Sequence, residues 1–358
     1  MTKLDWPAPA AEPISSISPS ALSAFNACPR KLAFQRDPAT RDLSKPSPRT
    51  ALGNAAHEIS ELAAKGQPPG GIERQAWLAH TWNQLLARQA QKVADAWPGR
   101  QVPPVTQWEG LVATRVRILR KLAASPEVVA GALPAQAGPG FPWIERKLVD
   151  PDAGVFGTPD RVDVRNGQLR VVDLKSGVHQ AEIQDGQRRQ LLLYAHLVDV
   201  TCGQLPAVGV VEHASGKEES FPIDSLDVTS ALQEARQAIV SFNAAVAAGE
   251  VPARPEASAC KFCSFRSVCW SYWGSPDARS DRDIRGIVID VPDAKSFNVD
   301  VGTGEILRIV ATPGSAIPES DDEVVVLDVA PAGPSTVKMR WNSIVRLPES
   351  TAEPRYAD

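Results

Sequence analysis

Two aspartates and a lysine, Asp160, Asp173 and Lys175, are the residues of this chain whose types and spacing most resemble a reaction centre. Paired carboxylates bind a divalent cation, and an ammonium beside them offsets negative charge. Together they suit metal-assisted attack of water on a phosphodiester. The sequence between them says how they meet. Asn166-Gly167 is flanked by alternating apolar residues, Val162 and Val164 before it and Leu169 and Val171 after it, a strong hairpin signal. With these two as the loop, Arg165 faces Gln168, paired numbers keep a constant sum, and Asp160 falls opposite Asp173. Directly opposed residues share a face with Cβ atoms roughly 4.5 to 5.5 Å apart. Two carboxylates that close raise one pKa unless a cation lies between them. Lys175, two residues beyond Asp173, shares that face. An exposed charge cluster is the plain alternative; three charges converging beside apolar Val171, Val172 and Leu174 weigh against it. A one-residue bulge would break the pairing.

The string Gly157-Thr158-Pro159-Asp160, followed after twelve residues by Asp173-Leu174-Lys175, resembles the PD-(D/E)XK nuclease signature. Gln190 to Tyr194 resembles the QxxxY element of the RecB-type branch, and Gly53 to His57 resembles that branch's helical histidine. The resemblance implies an α/β fold with a restriction-endonuclease-like mixed sheet core flanked by helices. It implies Mg²⁺ or Mn²⁺ held by Asp160, Asp173 and His57, and a catalytic set of Asp160, Asp173 and Lys175. Gln190 and Tyr194 would contact DNA or orient the site. On residue type alone, His57 is an ordinary helical histidine; only the resemblance makes it a ligand. Glu145 is a lesser candidate for the same site.

Cys260, Cys263 and Cys269 form a local trio with CxxC spacing, and a four-coordinate metal needs one more ligand. Zinc on four thiolates is one reading. Cys28 as the distant fourth resembles the four-cysteine iron-sulfur staple of AddB-type and CRISPR-associated exonucleases, which implies a structural [4Fe-4S] cluster tying residue 28 to residue 260. Cys202 is left as a plain thiol.

At 358 residues with 43% hydrophobic content, the chain can bury more than one core. No apolar run reaches the roughly 20 residues that span a bilayer, and the first residues do not read as a signal peptide, so the expectation is a cytoplasmic protein with no membrane contact. The net charge of -4 is unevenly spread: 14 acidic against 8 basic residues from Asp281 onwards, 30 basic against 28 acidic before it. Arg30, Lys31, Arg36, Arg41, Lys45 and Arg49 form a local basic cluster that suits either phosphate contacts or a solvated surface.

Residues 1–16, rich in Pro, Ala and Ser, are expected to be a disordered tail. The nuclease domain spans 17–274, opening with Ser18 as a helix cap and Pro19 in the first turn. A helical insertion at about 70–135 carries two amphipathic helices, whose Trp77, Trp82 and Trp97 read as core aromatics before they read as base-stacking platforms. After Pro276 five short apolar runs between turn residues suggest a small all-β barrel, OB-like or SH3-like, over 282–348, followed by a tail at 349–358. Its acidic excess favours protein docking over DNA.

The expected activity is metal-dependent hydrolysis of phosphodiester bonds, as an exonuclease on single-stranded or end-opened DNA in repair, recombination or defence. A DNA-binding or scaffold subunit that does not cut is the alternative. The chain has no GxxxxGK[ST] motif, so unwinding would fall to a helicase or another partner subunit.

Overall fold

The computed structural model describes residues 4–65, 72–124, 141–175, 182–213, 217–302, 304–348 and 355–357. Helices α1 (Pro19–Ala27) and α2 (Pro29–Arg36) open the larger region, followed by α3 (Pro48–Ala64), α4 (Ile72–Ala96) and α5 (Leu111–Ala124). Strands β1 (Trp143–Ile144), β2 (Leu148–Asp150), β3 (Val155–Gly157), β4 (Arg161–Arg165) and β5 (Gln168–Lys175) come next. Helix α6 (Asp185–Cys202) crosses over to β6 (Val208–His213), and β7 (Glu218–Pro222) and α7 (Ser225–Ala247) close the fold.

Ser18 caps α1 by accepting from the Ala21 N–H, and Pro19 and Pro29 each begin a helix with Cys28 extended between them. The β4–β5 hairpin turns on Asn166 at φ 53° and Gly167 at φ 74°. Two consecutive positive φ values are what a two-residue turn matching the strand twist requires, and an Asn-Gly pair reaches them at little cost. Arg165 pairs with Gln168 and Arg161 with Val172, so the register runs without a bulge to the threshold of the Asp160 and Asp173 position.

The central sheet has the order β1-β4-β5-β6-β7, with β5 and β6 parallel and the other pairs antiparallel. This is a mixed sheet with helices packed on it, as the sequence implies. α6 and α7 bury Leu191, Leu193, Val198 and Phe242 against Val162, Leu169 and Val171. On the opposite face Arg170 grips Asp163 through two bonds of 2.8 and 3.0 Å. Arg161 joins Asp163 at 2.7 Å to Glu212 at 3.1 Å, and Lys121 of α5 reaches Glu212 at 3.1 Å. Both faces of β5 are therefore buried, which explains its run of apolar residues.

Helices α3, α4 and α5 share a second core. Trp82 is fully buried and Trp97 nearly so, which settles these two as packing aromatics; Trp77 packs at the edge of the same core. The part of the insertion at 125–140 lies outside the described residues.

Two expectations are corrected. Residues 4–16 pack rather than trail: Leu4 and Ile14 are buried, the Ile14 N–H donates to Asn243 Oδ1 at 2.7 Å, and Trp6 meets the Trp270 ring edge-on. Prolines and alanines lowered the apparent hydrophobicity of this stretch, while single apolar residues reached pockets elsewhere. The second concerns the C-terminal region, which after the short helices α8 (Ala257–Cys260) and α9 (Trp270–Trp273) carries β8 (Ile284–Asp293), β9 (Ser296–Asp300), β10 (Ile306–Val310), β11 (Ala316–Ile317), β12 (Glu323–Val326), β13 (Ala330–Gly333), β14 (Thr336–Lys338), β15 (Val345–Arg346) and β16 (Arg355–Tyr356). Seven of these form one sheet in the order β13-β14-β10-β9-β8-β12-β15, mainly antiparallel, with β10 and β14 parallel. Its outermost strands, β13 and β15, do not pair with each other, so among the described residues the expected barrel is not closed.

The C-terminal sheet is fastened to the region before it. Arg266 bridges Asp283 at 3.1 Å and Asp328 at 2.8 Å, and the Tyr272 hydroxyl donates to Asp283 Oδ2 at 2.6 Å. Arg100, at the end of the α4 turn, donates to Thr312, Ser315 and the Ser343 carbonyl.

Candidate active site

Asp173 lies near the end of β5, where the strand passes from core to surface. Its side chain is almost wholly buried and takes three partners: Lys175 Nζ at 2.7 Å on Oδ2, Gln190 Nε2 at 2.9 Å on Oδ1, and the neighbouring charge of Asp160. Burial pushes the Asp173 pKa up; the Lys175 ammonium opposes the shift and Asp160 adds to it. Oδ2 is buried, and the ammonium of Lys175 is the charge beside it.

Asp160 accepts the Leu174 N–H through Oδ2. His57, on α3, donates from Nε2 to the Leu174 carbonyl at 2.9 Å. A carbonyl only accepts, so in the neutral imidazole the lone pair is on Nδ1, 3.6 Å from Asp160 Oδ1 and 4.0 Å from Glu145 Oε1. Thus a single backbone carbonyl of β5 orients the histidine and fixes its tautomer.

Glu145 completes this group. It follows β1 at φ 50°, a left-handed conformation rare for a residue with a side chain, and its N–H donates to the Asp160 carbonyl at 3.2 Å. Burial, then the charges of Asp160 and Glu61, push its pKa up to about 7. One ligand atom from each of His57, Glu145 and Asp160 lies within 4.8 Å of the others. Two carboxylates and one oriented imidazole fit a hard divalent cation that also accepts nitrogen. The sequence placed Asp173 in the metal set with His57 and Asp160. Among the described residues the compact donor group includes Glu145 with His57 and Asp160, and Asp173 lies within electrostatic reach of Asp160 and His57.

Gln190 and Tyr194 occupy one face of α6, and the Gln190 amide bridges Asp173 and the Tyr194 hydroxyl at 3.2 Å. Tyr194 is 7% exposed, and burial pushes its hydroxyl up to about 12. It holds Gln190, and Gln190 holds Asp173; both are positioning residues in this arrangement. The sequence reading missed Gly157, the first residue of its own motif, where the Tyr194 ring fills the space that a side chain would need.

The cysteines gather elsewhere. Cys28, Cys260, Cys263 and Cys269 line one small cavity, with Arg30, Lys31 and Arg266 around it. The Arg254 N–H donates to Cys28 Sγ at 3.3 Å, and burial raises Cys260 and Cys269 and pushes Cys263 up to about 11. Among the described residues no three of these sulfurs approach within 4.8 Å of one another, so a compact ligand group is not formed. Cys202 is a buried thiol against the Gln204 carbonyl, as expected of it.

No described helix is long and apolar enough to cross a membrane. No curated protein matches the chain. A family model does: that of the PD-(D/E)XK nuclease superfamily aligns with residues 16–270 and so covers the sheet, the Asp160–Asp173–Lys175 group, His57 and all four clustered cysteines. Most of the chain matches, and the chain therefore belongs to the PD-(D/E)XK nuclease superfamily.

Proposed function

We propose that this protein is a Mg²⁺- or Mn²⁺-dependent deoxyribonuclease that degrades single-stranded or end-opened DNA from an end. The observation that carries the reading is the junction of a buried, Lys175-paired Asp173 with the His57–Glu145–Asp160 donor group, in a chain of a nuclease superfamily. A cation bound there would supply Lewis acidity and a more acidic water. His57 presents Nδ1, and Asp160, Glu145 and Asp173 present carboxylate oxygens. Lys175 keeps an ammonium where charge grows on the phosphate oxygens as the water oxygen bonds to phosphorus and the bond to the leaving sugar oxygen breaks. Gln190 keeps Asp173 in place through this step, and Tyr194 keeps Gln190.

We further propose a [4Fe-4S] cluster on Cys28, Cys260, Cys263 and Cys269. Four thiols around one cavity, with Arg30, Lys31, Arg254 and Arg266 also lining it, support an anionic metal group there. Its role is structural, joining the first helices to the end of the nuclease fold. Cytoplasmic repair, recombination or defence against foreign DNA, with a helicase or other subunit on the C-terminal sheet, is the setting we infer.

The test is cleavage of end-labelled single-stranded and duplex DNA by anaerobically purified protein with Mg²⁺, Mn²⁺ or EDTA, alongside Asp173→Ala. Metal-dependent cutting that Asp173→Ala lacks is the expected result. Cutting by both proteins alike, or by neither when metal is supplied, overturns the reading, and the second outcome leaves a DNA-binding subunit that does not cut.

A further inference from the structure

Between the nuclease fold and the C-terminal sheet runs a cleft of about 780 Å³ that the metal site does not use. Six cationic residues line it against two aspartates, and one of these, Asp328, is already paired with Arg266. Lys45, Lys261, Arg279, Arg282 and Arg340 are exposed, and no carboxylate among the described residues lies within 4.0 Å of any of them. Three aromatics line the same space: Phe262, 76% exposed, and the half-buried Trp341, set edge-on to the buried Trp97 at 5.6 Å.

We propose that this cleft holds the single-stranded DNA that is delivered to the metal site, its phosphates on the exposed lysines and arginines and its bases on Phe262 and Trp341. The inference rests on the nuclease reading and adds a binding site to it. Cations that no carboxylate neutralises suit a phosphate backbone, and aromatic faces stack bases whatever their sequence. A duplex hides its base faces within its own stack, so the aromatic pair selects an unpaired strand.

The cleft also leads to the chemistry. A second groove shares Ser47 and Trp341 with it and passes Arg49 and Arg117 to Gly53. Gly53 lies one helical turn before His57, and from Ser47 to His57 the path along α3 is roughly 15 Å. The net acidity of the C-terminal residues hid this surface, because Arg282 and Arg340 face the cleft while most of the acidic residues do not line it.

The experiment measures anisotropy of a labelled oligo-dT strand, an abasic strand and a blunt duplex on full-length protein carrying Asp173→Ala, so that binding is read without cleavage. Added Lys261→Glu and Arg340→Glu, together and singly, should weaken oligo-dT binding at least tenfold for the pair. They should flatten the salt dependence by about 0.7 in log-log slope for each phosphate that the variant no longer neutralises. Phe262→Ala should weaken oligo-dT binding but leave the abasic strand unchanged. Thermal melting of each variant reports folding, and the single exposed substitutions supply the answer if the pair melts early. Unchanged oligo-dT affinity and slope in the charge reversals overturns the proposal, as does an equal loss on the blunt duplex. Because the readout is binding, absence of cleavage by the parent protein would defeat the nuclease reading and leave this result standing.

Discussion

Gly157 and Tyr194 share the room of one side chain: a Cβ on Gly157 would lie 2.5 Å from Tyr194 Cε1 and 3.1 Å from Cδ1. The glycine that opens the Gly157 to Asp160 string is therefore a packing partner of the helix that carries Gln190. With the ring displaced, the tyrosine hydroxyl leaves Gln190, and Gln190 no longer fixes Asp173. Gly157→Ala should cost about 1–3 kcal/mol of stability as an overpacked site and lower kcat with little change in KM. Tyr194→Phe, which keeps the ring and removes only the hydroxyl, should lower kcat with a much smaller loss of melting temperature. A melting temperature unchanged by Gly157→Ala would remove the packing argument.

His57 is oriented by the Leu174 carbonyl, and its Nδ1 faces Asp160 and Glu145. His57→Ala and Glu145→Gln should each weaken Mn²⁺ binding by at least about tenfold, as loss of a metal partner commonly does, while the fold melts as before. Isothermal titration of the protein with Mn²⁺ measures this directly. Affinity that is intact in Glu145→Gln but lost in Asp173→Asn would return the metal to the set that the sequence first implied.

Acid stability follows from the same carboxylates. Glu145 is raised from 4.5 to about 7, chiefly by burial, so between these values the folded chain binds more protons than the unfolded chain. Its stabilising contribution is fully present below the unfolded value and is lost as pH rises through the folded one. The metal-free protein should melt progressively lower from pH 5 to 7.5 on this account. Glu145→Gln should flatten that slope, and Mn²⁺ should raise the melting temperature most at the upper end. Differential scanning across this window checks it; a slope identical in the variant would show that other groups dominate.

The hairpin that carries Asp160 and Asp173 was legible because its information is local: an Asn-Gly turn sets register, and register sets which residues face one another. Gln190 and Tyr194 were legible as one face of a helix for the same reason. Glu145 was nearly lost, because its place depends on a backbone angle that its neighbours Trp143 and Ile144 do not announce. Gly157 gave no signal, since its constraint is a ring 37 residues later. The C-terminal runs were read as strands, but closure depends on which edges pair, and the parallel pairing of β10 with β14 is invisible to a pattern of alternating residues. Net acidity, likewise, says nothing of which face the arginines take.

In the cysteine cavity, Cys263 is the most strongly shifted of the four thiols, pushed up to about 11 by burial among Phe34, Phe265 and its cysteine neighbours. A thiol kept protonated by burial contributes a small apolar group, whereas a ligand thiolate contributes the binding energy of a cluster that spans residues 28 to 269. If the cluster forms, Cys263→Ala removes both visible absorbance and the long-range tie, and solubility and melting temperature fall together in anaerobically purified protein. Cys202→Ala, a buried thiol outside the cavity, should leave colour untouched and cost only its packing. Iron and zinc analysis of the two variants beside the parent separates the metals. Zinc without iron in the parent would make the staple a zinc site, and an undiminished yield of colourless protein from Cys263→Ala and parent alike would end the staple idea.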